Sequence, residues 1–346
     1  MTLQLDMVRL FRAELDLCKL TPRETVVVLT EGDDKRDYAD AFLAAAGEIG
    51  ATSFQLNLTK RAARPGDRVK RTSLSGNQPA IDALKRADMV IDLVGLLWSA
   101  EQKAITETGA RMLLVREPFE VLARLFPRES LRRRVEAAQR MLAGAKELRI
   151  TSSAGTDVTY RLGAYPVMTQ YGYTDTPGRW DHFAGGFVYT GAYDDGVDGR
   201  VVVNTGDILF PFMRYASEPI ALTIERGRVT RIDAAGVEGE LLRSFIARFD
   251  DPRAYAISHI GWGMDETALW DYMGTARNGA VATGCDGRAY YGNVLFSTGP
   301  NQELGGKNDT PCHLDMPLRN CTVRLDGERI IENGALVPQE LRADGM

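Results

Sequence analysis

The chain contains only three histidines, His182, His259 and His313, so any chemistry that needs an imidazole must use these side chains. His313 and Asp315 form an HxD pair within the segment 311–317. On a strand or an extended turn, residues two apart point to the same side of the backbone. The pair therefore places an imidazole and a carboxylate where both can bind one metal ion.

A second imidazole would complete a facial iron site. Such Fe(II) sites use two neutral imidazoles and one carboxylate, and they leave three coordination positions for a substrate and O₂. The candidate is His259, in a segment where apolar residues lead into a turn bounded by Gly261 and Gly263. We therefore predict that His259, His313 and Asp315 bind a metal, with His259 at the end of a strand.

Other functions remain compatible with the same residues. Imidazole and carboxylate ligands also hold Zn²⁺ or Co²⁺ for hydrolysis, and the residue types do not choose between these metals and iron. A metallopeptidase with two adjacent metals would need more carboxylate ligands than one HxD pair and one distant histidine supply. A binding or assembly protein without a metal is the third alternative.

The composition excludes several classes of partner. The formal net charge is −5 and acidic and basic residues are interspersed, so we expect no nucleic-acid partner. The sequence has no apolar run of bilayer length and no signal-peptide core, so we expect a cytoplasmic protein with no membrane partner. The four scattered cysteines include no CxxC pair and are expected to be reduced thiols.

The first part of the chain alternates between predicted strands and helices, which indicates a parallel sheet. We assign residues 1–147 to this N-terminal α/β domain and expect an amphipathic helix at 129–146 to close it. Residues 61–78 are polar and basic and should form a surface loop. The predicted strands are 26–30, 53–58, 89–94 and 112–115, and the predicted helices are 38–49, 79–87 and 99–108.

From residue 148 onward hairpin signals dominate. Two apolar pairs of segments, 148–152 with 158–162 and 221–225 with 229–233, flank short turns. We predict a second, mostly antiparallel β domain over residues 148–346 that carries the metal site. The fold class is thus α/β plus α+β. No glycine-rich turn follows the strand–turn–helix order of a phosphate loop, so no nucleotide cofactor is predicted.

Three long segments resemble the 2,5-dihydroxypyridine 5,6-dioxygenase family of bacterial nicotinate degradation. They are TQYGYTDTPGRWDHFAGGF (169–187), AISHIGWGMD (256–265) and DGRAYYGNVLFSTGPNQELGGKNDTPCHLDMPLRNC (286–321). A fainter similarity at EPFEVLARLFP (117–127) extends the resemblance over essentially the whole chain. The resemblance implies an M29 aminopeptidase-like fold, a homo-oligomer, and Fe(II) held by His259, His313 and Asp315.

The same resemblance implies extradiol-type cleavage of a hydroxylated pyridine by O₂, which would convert 2,5-dihydroxypyridine to N-formylmaleamate. Proton transfer then needs a group that is not a ligand, and His182 is the remaining histidine; the ordinary imidazole pKa near neutrality suits this role. A structural role in a loop is the alternative for His182. We also predict that Tyr291 and Ser297 hydrogen-bond to the substrate.

Two positions depart from the family pattern. The family carries a histidine, a proposed base, where Trp98 stands, and a glutamate where Gln170 stands. An indole and an amide cannot move protons. An indole can stack on a flat ring, and an amide can pair with an amide or carbonyl edge. We therefore predict Trp98 and Gln170 as substrate contacts, and a different hydroxylated N-heterocycle is the alternative to 2,5-dihydroxypyridine.

Overall fold

The computed structural model describes residues 2–60, 72–210, 212–276 and 284–345. Most of the predicted loop 61–78 lies outside these ranges. Within them, no helix combines the length and the apolar content that crossing a membrane requires. The four cysteines are buried and free, as expected for reduced thiols.

Helices and strands alternate in the first part of the chain, and strands dominate afterwards. The helices are α1 (Thr2–Leu17), α2 (Arg36–Ile49), α3 (Gln78–Leu84), α4 (Ala100–Thr106), α5 (Phe119–Arg124), α6 (Glu129–Gly144), α7 (Val237–Ala247), α8 (Tyr272–Thr275) and α9 (Cys285–Ala289), with 3₁₀ turns at Pro252–Tyr255, Gln302–Leu304 and Gln339–Leu341. The strands are β1 (Thr25–Glu31), β2 (Thr52–Leu58), β3 (Met89–Asp92), β4 (Arg111–Val115), β5 (Glu147–Ser152), β6 (Asp157–Arg161), β7 (Met168–Gln170), β8 (Trp180–Phe183), β9 (Phe187–Thr190), β10 (Val197–Val203), β11 (Ile208–Leu209), β12 (Arg214–Tyr215), β13 (Ile220–Glu225), β14 (Arg228–Asp233), β15 (Ile257–Gly263), β16 (Val294–Thr298), β17 (Leu314–Leu318), β18 (Cys321–Leu325), β19 (Glu328–Glu332) and β20 (Ala335–Leu336).

Unit 1 comprises Met1–Pro127 and Gln170–Gly185. Its sheet has the order β2-β1-β3-β4-β8, and every strand pair in it is parallel. The centres of β1, β3 and β4 are buried, because helices cover both faces of a parallel sheet. The predicted parallel-sheet architecture is therefore confirmed. Helix α1 was not predicted; its Phe11 ring stacks on Phe42 of α2 at 3.9 Å.

Unit 2 comprises Arg128–Thr169 and Gly186–Met346. It contains an antiparallel eight-stranded sheet, β14-β13-β10-β6-β5-β18-β19-β20, and a five-stranded sheet, β17-β16-β15-β9-β7. The mostly antiparallel character predicted for the second part is confirmed. The two units interleave along the chain, whereas the sequence prediction divides it once, between residues 147 and 148.

The predicted turn at Gly261 and Gly263 is wrong, because both glycines lie inside β15. A Cβ atom on Gly261 would lie 1.9 Å from the carbonyl oxygen of Val188, on the neighbouring β9. On Gly263, it would lie 2.5 Å from the carbonyl oxygen of Tyr290. These glycines therefore permit close approach of neighbouring backbone rather than a turn. His259 consequently lies within a strand and not at its end.

Candidate metal centre

Three neighbouring strands of the five-stranded sheet in unit 2 position the candidate ligands. His259 lies on β15, where the register with β16 shifts between Ile257 and Ile260. Asp315 lies on β17, opposite Ser297 of β16. His313 immediately precedes β17. Long-range antiparallel pairing thus brings together residues that are more than 50 positions apart in the chain.

The imidazoles and the carboxylate converge on one point. Oδ1 of Asp315 lies 3.0 Å from Nε2 of His313 and 3.3 Å from Nε2 of His259. The possible ligand atoms of the three residues all lie within 4.8 Å of one another. His259 and Asp315 are each 6% exposed, whereas the side chain of His313 is 33% exposed. The arrangement matches the size of a mononuclear metal site with one side open.

Ser297 fixes the backbone of His259 at the register shift. Its Oγ accepts a hydrogen bond from the His259 N–H at 2.9 Å and donates one to the His259 carbonyl at 3.1 Å. Ser297 is fully buried. These two bonds satisfy backbone groups that the interrupted ladder would otherwise leave unpaired. The hydroxyl therefore helps to aim the imidazole.

Arg288 of α9 holds the other side of the carboxylate, because its Nε donates to Oδ2 of Asp315 at 2.8 Å. Burial by itself would raise the pKa of Asp315, but the charges of His313 and Arg288 and hydrogen bonds from both imidazoles hold it well below its usual range. Desolvation by itself would lower the pKa of His313. The pKa is nevertheless raised, because the charge and hydrogen bond of Asp315 and the charge of Glu303 outweigh desolvation. The carboxylate is therefore ionised at neutral pH.

Glu303 adds a second buried carboxylate. Its side chain is 5% exposed, and Oε1 lies 3.6 Å from Nε2 of His259. This oxygen has no hydrogen-bond partner among the residues that the structure describes. Two buried carboxylates, Asp315 and Glu303, thus lie beside the imidazole of His259. A divalent cation bound there would offset the cost of burying their charge. The donor set of two imidazoles and one carboxylate fits a metal ion.

The predicted residues Trp98, Gln170 and His182 lie in unit 1. The indole of Trp98 contacts that of Trp180, with ring centroids 4.5 Å apart. Trp180 and His182 are two residues apart on β8 and therefore point to the same side of the sheet. His182 is partly buried, and Gln170 is buried at the end of β7. Trp98 has a φ of 57° and donates its N–H to Oε1 of Gln102 at 2.6 Å.

The two further predicted substrate contacts lie in unit 2. Tyr291 is partly buried, and its hydroxyl oxygen accepts a hydrogen bond from the N–H of Ala343 at 3.1 Å. Ser297 is engaged with the backbone of His259, as described above. A substrate contact by either residue stays a prediction.

Sequence reasoning missed Arg288 and Glu303. Both lie within the segment 286–321 that carries the family resemblance, but neither has a spacing to His313 or Asp315 that would single it out. Their proximity to the ligands depends on α9 and on the loop between β16 and β17, which no local pattern specifies.

Comparisons with known proteins agree over nearly the whole chain. A family model described as NicX, 2,5-dihydroxypyridine 5,6-dioxygenase, matches residues 6–338. The curated 2,5-dihydroxypyridine 5,6-dioxygenase of Pseudomonas putida KT2440 is 43% identical over 350 residues, which cover 98% of each chain. A solved structure of 2,5-dihydroxypyridine dioxygenase from the same strain has a TM-score of 0.94 at 42% identity and covers 98% of this chain and 99% of its own.

A more distant solved structure resembles the fold alone. Wild-type AmpT from Thermus thermophilus has a TM-score of 0.62 at 16% identity, over 96% of this chain and 99% of its own. The predicted aminopeptidase-like fold is therefore confirmed, and the likeness carries no statement about activity.

Proposed function

The chain belongs to the 2,5-dihydroxypyridine 5,6-dioxygenase family, and from this membership we propose that it opens a hydroxylated pyridine ring with O₂ at a metal held by His259, His313 and Asp315. The observation that supports this most directly is the convergence of these side chains, whose possible ligand atoms lie within 4.8 Å of one another. Family membership supports the reaction class, and the geometry supports these residues as its proposed site.

Fe(II) is the proposed metal. Two imidazoles and one carboxylate are the donor set of facial non-haem iron sites. Bound iron would supply adjacent positions for a ring hydroxyl and O₂ together with the redox chemistry that lets them react. Hydrolytic metals use similar donors, so the metal's identity rests on the family and not on the donor atoms alone.

The side chains of the site have separate tasks in this proposal. Asp315 stays ionised because His313 and Arg288 hold its pKa low, so it can bind a cation without first losing a proton. Ser297 holds the backbone that presents His259. The open side of His313 leaves room for a ring to approach.

The leading substrate is 2,5-dihydroxypyridine, with N-formylmaleamate as the product. This product contains all the atoms of the ring and of O₂, so no further reductant is required. Proton transfer by His182 and substrate contacts by Trp98 and Gln170 stay proposals. The family resemblance implies groups that can move protons where Trp98 and Gln170 stand, so a different hydroxylated N-heterocycle is the second candidate. A cytoplasmic location and a homo-oligomer also stay predictions.

Oxygen uptake tests the proposal. The protein would be reconstituted with Fe(II) without oxygen, then mixed with oxygenated buffer and a panel of hydroxypyridines. We expect stoichiometric O₂ consumption with 2,5-dihydroxypyridine or a close relative, and none with the metal-free protein. Peptide hydrolysis after loading with Zn²⁺ or Co²⁺, without O₂ uptake in the iron form, would instead identify a peptidase. If the protein shows neither O₂ uptake nor peptide hydrolysis, it is a binding protein.

A further inference from the structure

Glu303 is a buried carboxylate without an assigned task beside the proposed ligands. Its Oε1 lies 3.6 Å from Nε2 of His259, and the side chain is 5% exposed. The oxygen has no hydrogen-bond partner among the described residues. Burying a carboxylate oxygen without a donor is unfavourable, so a bound group that supplies a donor would be favoured at this position.

The surrounding loop holds Glu303 in place. The residue lies on the 3₁₀ turn Gln302–Leu304, between β16 and β17. Asn301 bridges the loop, because its Oδ1 accepts from the N–H of Asn308 at 2.9 Å and its own N–H donates to the Asn308 carbonyl at 3.0 Å. Leu304 is 3% exposed and anchors the turn in the core. The carboxylate is therefore presented by a closed, hydrogen-bonded loop.

Glu303 does not belong to the compact ligand group. The group that contains His259, with all ligand atoms within 4.8 Å of one another, consists of His259, His313 and Asp315 and does not include Glu303. A metal bound to Nε2 of His259 takes the lone pair of that nitrogen, so Nε2 then carries no proton that it could donate to Glu303. The carboxylate thus remains an acceptor next to the metal site.

We propose that Glu303 binds the heterocyclic substrate by accepting a hydrogen bond from its ring N–H. The inference rests on the proposed function, in which the ring hydroxyl beside the cleaved bond binds the metal. In its pyridone form, 2,5-dihydroxypyridine still carries an N–H donor, and a hydrogen bond from this donor to an ionised carboxylate is stronger than one to a neutral acceptor. Glu303 would thus select heterocycles with a donor on the ring nitrogen.

Two ligands and one isosteric variant test this role. Hydroquinone keeps the two para hydroxyl groups of 2,5-dihydroxypyridine but has a ring C–H in place of the N–H. Dissociation constants of both ligands would be measured without oxygen on the Fe(II)-loaded protein and on Glu303→Gln, with Fe(II) affinity measured separately. We expect Glu303→Gln to weaken binding of 2,5-dihydroxypyridine about tenfold, as for loss of a charge-assisted hydrogen bond, and binding of hydroquinone less than about threefold.

The controls separate the remaining roles. Gln302→Ala, an exposed neighbour on the same turn, should leave both dissociation constants unchanged. Equal weakening of both ligands, or a tenfold loss of Fe(II) affinity, would show that Glu303 supports the metal and would overturn the inference. Unchanged binding of both ligands to Glu303→Gln and to Glu303→Leu would overturn it as well. If the unmodified iron protein bound neither ligand and consumed no O₂, the proposed function itself would fail.

Discussion

The two carboxylate oxygens of Asp315 have different partners: Arg288 Nε donates to Oδ2 at 2.8 Å, while Oδ1 lies 3.0 Å from His313 Nε2. A carboxylate held at one oxygen has a fixed orientation at the other. The guanidinium also contacts the ring of Phe210, 4.5 Å from its centroid, which limits its own movement. Arg288 is therefore a positioning residue for the proposed metal ligand.

Replacing Arg288 should weaken metal binding. In Arg288→Ala, Oδ2 of Asp315 loses the hydrogen bond from Arg288 and a neighbouring positive charge, so the orientation of the carboxylate is no longer fixed. Loss of such a supporting partner typically lowers metal affinity about 10- to 100-fold. Anaerobic Fe(II) titration measures the effect, with Arg329→Ala, an exposed arginine paired with Glu332, as the control. Equal affinity of Arg288→Ala and the control would contradict the positioning role.

The hydroxyl of Ser297 should contribute to folding stability through its two hydrogen bonds to the backbone of His259. Ser297→Ala leaves the buried N–H and carbonyl of His259 without these partners, which should lower the free energy of unfolding by about 1–3 kcal/mol. Thr298→Val is the matched control, since the buried Thr298 hydroxyl has no hydrogen-bond partner in the described part of the chain. Urea unfolding of the metal-free proteins compares them. A raised KM in Ser297→Ala at unchanged stability would instead favour a direct substrate contact.

Trp98 should govern the choice of substrate. Trp98→His introduces the imidazole that the family resemblance implies at this position, so kcat/KM for 2,5-dihydroxypyridine should change several-fold relative to other hydroxypyridines. Trp98→Phe separates this effect from loss of the aromatic contact with Trp180. Such a contact typically contributes about 0.5–1.5 kcal/mol. Steady-state kinetics over a substrate panel gives the answer. Unchanged kcat and KM in Trp98→His would remove the position from the account.

Asp207 should make folding stability depend on pH. Burial raises the pKa of Asp207 to about 6, although N–H groups of Asn204 and Arg319 and the charge of Arg319 act in the opposite direction. An acid with a higher pKa in the folded state binds an extra proton on folding between about pH 4 and pH 6. Its contribution to stability therefore falls as pH rises through this window.

Asp207→Asn removes this titration. The free energy of unfolding of the variant, relative to the unmodified protein, should rise between about pH 4 and pH 6.5 and then stay level. Any loss of hydrogen bonds to Asn204 or Arg319 shifts all values equally. Urea unfolding at several pH values measures the difference, and a constant difference across the window would contradict the assignment.

The local part of the site could be predicted from the sequence. His313 and Asp315 point to the same side because alternation along an extended backbone needs no tertiary information. The parallel strands of unit 1 could be predicted for a similar reason, since their apolar runs and intervening helices repeat in order. Because the chain has only three histidines, the candidates for the second imidazole ligand were His182 and His259.

The rest depends on contacts distant in sequence. His259 lies inside β15 and is oriented by a register shift against β16. The nearby glycines suggested a turn in the sequence, but they allow close approach of neighbouring backbone. Glu303 and Arg288 approach the ligands only through the loop after β16 and through α9. After residues 128–169 of unit 2, the chain adds β8 to the sheet of unit 1, and this too depends on long-range pairing, here with β4.

Anomalous diffraction at the iron edge, from crystals loaded with Fe(II) without oxygen, tests the proposed metal centre most directly. We expect one strong peak in contact with His259, His313 and Asp315. The peak should be absent in Asp315→Ala and retained in Asp309→Ala, which changes an exposed carboxylate paired with Arg253. A peak bound by other residues, or no peak in the loaded unmodified protein, would contradict the account.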